Sequence, residues 1–465
     1  MLGILTLVVA LIFCCLIVIN VIGDYKQHGI LCGNIVCVVM ILFYVIVPII
    51  FLVNPQARDT STVFNILLGR KSVEDICICV LLCSILISVG IVAYKTYVSK
   101  RRLMFSSALV RNEKDVTKRI NWKAANYLCG NKVRLVANLS FMLGGASILV
   151  IMISVGGLEK YLALGSVTRG INKSVSDVIN SSLLPLITLS SSILVSPYLY
   201  RYLSRVYPHE RKLKICFWAS LVISIIYLLY NQGRLPLLLF AIPFILDTNM
   251  LKRMKAISVL LIAIACVFLL EPLSNLFTYL SYGRIISQES SGLFETLLLE
   301  FTYPFSNFIN RKELVDVVGF RYGLDMIQWP LTVIPSSILK FFGFSKASIT
   351  SIGALNTDAY SHLANIQAGG GVPTDVMTFF YYQFGWLALV IMLVICFRAL
   401  RAIDKRFFIL KGNSEMRIIL LRISFLMVSL INNFDFSVIF RTRLDLIILV
   451  IIAFYISRKG GYQCQ

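Results

Sequence analysis

The sequence predicts an all-α polytopic integral membrane protein with about eleven transmembrane helices (eleven to thirteen) and one large outer-face loop carrying interfacial helices. Three observations predict this. Mean hydropathy is +0.82. Charged residues make up 14% of the 465-residue chain, where soluble domains carry about 25%. Apolar runs near the roughly 20 residues that cross a bilayer as a helix recur along the chain.

Those runs fall at about 3–22, 29–53, 76–98, 135–155, 182–200, 215–230, 235–250, 256–273, 376–397, 418–433 and 444–457. The first reads as a spanning helix, because it lacks the basic start and small-residue end of a cleaved signal. The pair within 215–250 is short. Residues 1–273 therefore hold eight spans and the basic segment 99–134, residues 274–375 form the large loop, and residues 376–465 hold three more spans and a short tail. Within the loop, Leu293 to Ile309 and Met326 to Phe344 are apolar, and Pro330 and Pro335 break the second; both read as interfacial helices. If both span, the count becomes thirteen and the parity is unchanged.

Lysine and arginine orient the chain. Segment 99–134 carries ten of them and reads as cytoplasmic. Parity then gives the cytoplasmic segments 27 Lys and Arg and the outer segments 15. The N-terminus falls outside, the C-terminus in the cytoplasm and 274–375 on the outer face. Lys95 and Arg422, each near a span end, read as cytoplasmic-end anchors. The formal charge of +21 follows from this asymmetry and from contact with anionic headgroups, not from nucleic acid binding. None of the twelve cysteines falls in an outer segment, which suits an oxidising compartment. Cys77-Ile78-Cys79 reads as apolar packing, since no histidine or acidic cluster accompanies it.

The outer face carries the candidate chemistry. His362 is the one histidine there, and imidazole is the side chain that titrates near neutral pH. The outer arginines are Arg234 between two spans, Arg284 after Tyr282-Gly283, Arg311 and Arg321 in the loop, and Arg441 and Arg443 before the last span. They read either as snorkelling anchors or as a two-pronged donor set for diphosphate or carboxylate. Gly369-Gly370-Gly371 before Pro373 reads either as a hinge or as an anion-binding nest. Trp329, Tyr303, Tyr322, Phe341 and Phe342 suit headgroup anchoring and also sugar stacking. The loop's eight acids and six bases leave a net charge of −2, which fits carbohydrate better than nucleic acid. No Asp-x-Asp metal pair and no Walker sequence occur.

A many-span chain with a large late loop, Gly-Gly-Gly-x-Pro followed by Tyr381-Tyr382-Gln383-Phe384-Gly385-Trp386, Asn231-Gln232-Gly233-Arg234 opening a short span, and arginines before the last span resemble the bacterial oligosaccharide repeat-unit polymerases (Wzy-type O-antigen or capsule polymerases). The motif is specific over about 362–386. Many members carry a further glycine where this chain has Trp386-Leu387-Ala388. The resemblance implies a metal-independent glycosyltransferase of the bacterial inner membrane without a cofactor. It would polymerise undecaprenyl-diphosphate-linked oligosaccharide units at the outer leaflet and release undecaprenyl diphosphate. Membrane lipid and, in the same pathway, a chain-length regulator and a flippase are the implied partners.

That chemistry needs cations for the leaving diphosphate and a base for the attacking hydroxyl. Arg234 and Arg441 are the leading cations and His362 the base, with Asp358 or Asp375 as substitutes. Arg284, Arg443, Arg321, Arg311, Tyr282, Gly369, Gly370 and Gly371 are the further substrate-binding candidates. An O-antigen ligase is the nearest rival. A lipid-linked oligosaccharide flippase is the rival from another class, disfavoured because the spans are nearly free of charge and polar residues collect at one face.

Overall fold

The computed structural model describes residues 2–28, 31–54, 63–105, 122–168, 184–231, 233–247, 268–269, 272–273, 275–277, 279, 293–334, 336–343, 350–365, 371–410 and 413–462. All regular structure among them is helical, and the protein is an all-α membrane protein. Among the described residues, six helices are long and apolar enough to cross a membrane: Gly3–Asp24, Cys32–Val53, Val73–Thr96, Asn126–Val155, Arg211–Asn231 and Val376–Lys405. The other five predicted spans are shorter, broken or largely outside the described residues.

The elements run in chain order as follows. Helix α1 is Leu2–His28 and α2 is Cys32–Val53, with a π-helical turn at Leu42–Ile46. Pro48 explains that turn. It has no N–H to give to the carbonyl of Tyr44, and the backbone widens to accommodate its ring. Short α3 (Val63–Gly69) leads into α4 (Val73–Phe105). Next come α5 (Trp122–Val155), α6 (Leu158–Thr168) and α7 (Leu184–Ser190), then a 3-10 turn at Ser191–Val195 and α8 (Ser196–Val206). Pro197 leaves the carbonyl of Ile193 without its helical donor. Ser224 Oγ, from α9 (Arg211–Asn231), donates to that oxygen at 3.2 Å. Gly144 of α5 lets the turn come close, since a Cβ there would lie 2.6 Å from Ile193 N. Helix α10 is Arg234–Asp247.

The predicted loop is itself folded. It holds α11 (Leu293–Ile309), α12 (Arg311–Val318), α13 (Leu324–Val333), α14 (Ser336–Phe341) and α15 (Ile352–Ala364). An interfacial helix would keep one face open, but every residue from Thr302 to Phe308 of α11 is buried. Helix α11 therefore belongs to the core. The second apolar stretch is split into α13 and α14.

Helix α16 (Val376–Leu410) is broken inside at Phe384 and Gly385. Three helices finish the chain: α17 (Arg417–Asn432), α18 (Phe436–Thr442) and α19 (Leu444–Tyr462).

Two compact units form. One comprises residues 1–102, 289–404 and 427–439; the other comprises 103–288, 405–426 and 440–465. In the first, α11 packs on α2 and α3, and α15 packs on α3 and α12. In the second, α5, α8 and α9 pack around the 3-10 turn together with α19.

Candidate functional site

The first unit builds its polar core around the segment entering α16. Gly371 is exposed, and a Cβ there would meet nothing. Val372 N donates to Thr357 Oγ1 at 2.8 Å. Asn307 Nδ2 donates to Pro373 O at 2.8 Å, and Phe434 N donates to Thr374 O at 2.8 Å. Asn356 sits beneath, with Nδ2 3.4 Å from Val372 O and Pro373 O, while Tyr382 OH donates to Asn356 Oδ1 at 2.7 Å. These partners come from α11, α15, α16 and the turn after α17, so the strap is fixed by residues far apart in sequence.

Asp375 closes the strap. It is fully buried. Its Oδ2 accepts from Tyr44 OH of the π turn, from Met377 N at 3.1 Å and from Thr378 N at 3.2 Å. The N-terminal donors of α16 thus already hold a carboxylate, the usual cap chemistry. Among the described residues, Asp375 Oδ1 and the hydroxyls of Thr374 and Thr378 have no hydrogen-bond partner within normal geometry. Burial pushes the Asp375 carboxyl above its ordinary range, and the bonds from Thr378 and Tyr44 offset this only in part.

The motif Tyr381–Trp386 forms the second feature. Gly385 has φ 67 and ψ −146, which breaks α16 and frees carbonyls of the preceding turn. Arg321 N donates to Tyr382 O at 2.8 Å and Tyr322 N to Gln383 O at 3.0 Å. Gln383 closes the join, accepting from Gly323 N and donating to Asp325 Oδ2, both at 3.0 Å. Arg321 is committed to Asp325 at 3.0 Å. Around the break lie exposed aromatic rings: Phe320, Tyr322, Phe384 and Trp386. The Arg311 guanidinium lies 4.5 Å from the Trp386 ring and 4.7 Å from that of Phe308, in cation–π range.

Helix α15 carries the base candidates. Asp358 and His362 are both exposed and one helical turn apart, so they share a face. Arg70 Nη1 donates to Leu363 O at 2.7 Å and so caps the end of this helix. Lys71 bonds Glu313. Burial alone would raise the Glu313 pKa, but the Lys71 hydrogen bond and the charges of Lys71 and Arg311 leave it below the ordinary carboxylate range. This lowered pKa makes the pair stabilising above that range, with the benefit lost as pH falls through the folded value. Because Glu313 is 43% exposed, Glu313→Gln is expected to cost only about 0.2–1 kcal/mol in thermal unfolding at neutral pH. The difference from wild type should vanish at acidic pH.

The second unit holds a buried ionic cluster. Arg422 of α17 is 1% exposed, and its Nη2 lies 2.5 Å from Asp445 Oδ2, on a residue that is 0% exposed. Arg422 also lies over the rings of Tyr198 and Phe240 at 5.2 and 5.5 Å. Its Nε and Nη1 have no hydrogen-bond partner among the described residues. Arg443 keeps some accessible surface and has Asp445, Arg422 and Tyr227 as its charged and titratable neighbours. Among the described residues, two arginines thus face one carboxylate, and one positive charge is left over. Arg422 and Asp445 stand at nearly equal chain distances on either side of the Asn433–Asp435 turn, as the two arms of a helical hairpin do. Arg422 is therefore not a cytoplasmic-end anchor but half of a buried ion pair. The spans are not free of internal charge.

The predicted site residues separate. Arg234, Arg441 and Arg443 belong to the second unit, with Arg234 opening α10 and Arg443 in the break between α18 and α19. His362, Arg311, Arg321 and Gly371 belong to the first. Arg284, Tyr282, Gly369 and Gly370 lie outside the described residues, as does the Arg441 side chain. Sequence reasoning read Arg422 as an end anchor and passed over Asp445; the signal was an arginine inside a short apolar helix, paired across the next turn. Among the described residues, no three His, Cys, Asp or Glu side chains come together. No protein family matches the chain, nor does any curated protein or solved structure.

Proposed function

We propose that this protein is a membrane glycosyltransferase that joins undecaprenyl-diphosphate-linked oligosaccharide units at the outer leaflet of the bacterial inner membrane. The surplus positive charge of the Arg422–Asp445–Arg443 cluster is the observation that carries the proposal. A partly buried positive charge beyond the one that its neighbouring carboxylate neutralises is costly unless a further anion offsets it, and a lipid diphosphate is an anion delivered from within the membrane. The resemblance of residues 362–386 to repeat-unit polymerases supplies the reaction.

In this reaction a terminal hydroxyl of one lipid-linked unit attacks the anomeric carbon of the growing chain. A new C–O bond forms there, the bond from that carbon to the diphosphate oxygen breaks, and undecaprenyl diphosphate leaves with the electron pair. The hydroxyl proton needs a base, and His362 of the first unit, exposed on α15, is the sequence's candidate for it. Arg443 faces the diphosphate, with Arg234 and Arg441 as further cations. Arg422 and Asp445 are positioning residues that hold Arg443. Preorganised cations of this kind act on charge that develops in the transition state.

The test is incubation of purified protein in liposomes with lipid-linked repeat units. A ladder of products is expected. Transfer to a non-repeat acceptor with no ladder would favour the ligase reading. His362→Ala should change stability by less than about 0.5 kcal/mol, as exposed substitutions do, so a loss of the ladder in this variant reports chemistry. An unchanged ladder across the pH range would remove His362 from the reaction.

A second reading keeps specific support. Helix breaks at Leu42–Ile46, Ser191–Val195 and Phe384–Gly385, together with a buried ion pair, are features of carriers. Under this reading, lipid-linked units would cross liposome membranes without lengthening.

A further inference from the structure

A groove runs along the second unit between α9 and α10, with Arg201 of α8 at one end. Its volume is about 460 Å³, within the roughly 300–1,000 Å³ range of ligand pockets. Phe217, Leu221 and Ile225 line one wall and Leu237, Ala241 and Ile245 the other. Both sets recur at helical spacing, so each helix presents one apolar stripe. Phe244 stacks on Tyr198 at 4.6 Å and makes the floor rigid. Trp218, 63% exposed, stands at the rim.

The polar end is built differently. Asp247 is 4% exposed and is gripped by Arg205, with Nη1 at 2.9 Å from Oδ1 and Nη2 at 2.5 Å from Oδ2. Arg201 Nε reaches the same carboxylate only at 3.7 Å, and its guanidinium lies 5.7 Å from the Phe217 ring. Arg417 Nη2 donates to Leu246 O at 3.3 Å. Two arginines thus meet one carboxylate, and a third bonds the backbone beside it, where the apolar groove ends. The exposed Arg211, Lys212 and Lys214 open α9 at the same end.

We propose that this groove is a binding site for an anionic phospholipid. One acyl chain lies between α9 and α10, and the headgroup phosphate lies on Arg201. Arg201 is the cation least committed to Asp247, so it is free to take a phosphate oxygen with its fork of donors. The apolar walls take the chain, and Trp218 suits the boundary between chain and headgroup. The phosphate end of the groove is distinct from the proposed reaction, because Asp247 closes α10 at the opposite end from Arg234; among the described residues the groove meets the Arg422 cluster only through the rings of Tyr198 and Phe240.

The experiment uses full-length protein, delipidated in mild detergent and offered equal amounts of phosphatidylglycerol and phosphatidylcholine. Bound lipid is counted by native mass spectrometry. Phosphatidylglycerol should be retained preferentially, and Arg201→Ala should lower that preference about fivefold, the usual effect of one basic residue at an anionic surface. Ala241→Phe, which fills the groove, should abolish retention, and Ile225→Trp at the rim serves if that variant does not fold. Equal retention of both lipids, or unchanged retention in a folded groove-filled variant, overturns the proposal. Displacement of phosphatidylglycerol by an equal amount of undecaprenyl phosphate also overturns it, because the groove would then belong to the substrate chain.

Discussion

Arg422→Met is expected to destabilise the protein by about 3–5 kcal/mol, the cost of leaving one partner of a buried ion pair uncompensated. Asp445 is wholly buried and would lose the guanidinium that bonds it, keeping only the nearby charge of Arg443. The double variant Arg422→Met/Asp445→Leu should recover most of that loss, because an apolar pair of similar volume is often neutral or stabilising by roughly 1–4 kcal/mol. Thermal unfolding in detergent measures both. The two roles of the cluster then separate. If it positions Arg443 for a diphosphate, the double variant folds and makes no ladder from lipid-linked units. Normal chains from the folded double variant would reduce the cluster to a packing device. Arg422→Lys should fall between, since an ammonium keeps the charge but not the fork that meets a carboxylate side-on.

The reason this pair escaped a reading of the chain is physical. Hydropathy measures how many residues are apolar, and α17 is apolar whether Arg422 points to an interface or to a carboxylate on α19. The partner is set by the turn at Asn433–Asp435, which no local pattern announces. The same holds for the segment 274–375. Ser306, Asn307 and Asn310 look like interruptions of an apolar run, so α11 reads as a surface helix. In the fold each has a distant or local acceptor: Phe64 O at 3.1 Å, Pro373 O at 2.8 Å and Ser306 O at 2.8 Å, respectively. Satisfied in this way, polar side chains enter a core at little cost.

What was legible is the fold class, because the bilayer imposes length and apolarity on every spanning helix and allows no unpaired backbone. The breaks were legible only in part. Pro48 and Pro197 are visible in the sequence, but the sequence does not say that Ser224 takes up the freed carbonyl. For the site, the residue types were legible and their grouping was not. The arginines predicted for the outer face fall on two different units, and Asp375, weighed as a substitute base, is sealed inside a cap.

Gly385→Ala tests the other half of the reading. At φ 67 and ψ −146 the residue sits near a backbone region open essentially to glycine alone, where another residue costs on the order of 1–3 kcal/mol. Crowding adds little, because a Cβ there would meet Phe320 only at 3.6 Å. The strain therefore acts on the backbone, and the relief open to it is to straighten α16 through the break. Straightening would return the carbonyls of Tyr382 and Gln383 to helical donors and expel Arg321 N and Tyr322 N from them. The loop at 319–325 would lose its register, and with it the bonds that hold Gln383 against Asp325. The expected result is a loss of roughly 1–3 kcal/mol in thermal unfolding, together with faster amide exchange at Arg321 and Tyr322. If the exposed rings of Phe320, Tyr322 and Phe384 form a surface for sugar, ladder formation should fail at low repeat-unit concentration and recover at high concentration. Unchanged exchange at Arg321 and Tyr322 would show that the break is held by something other than this glycine.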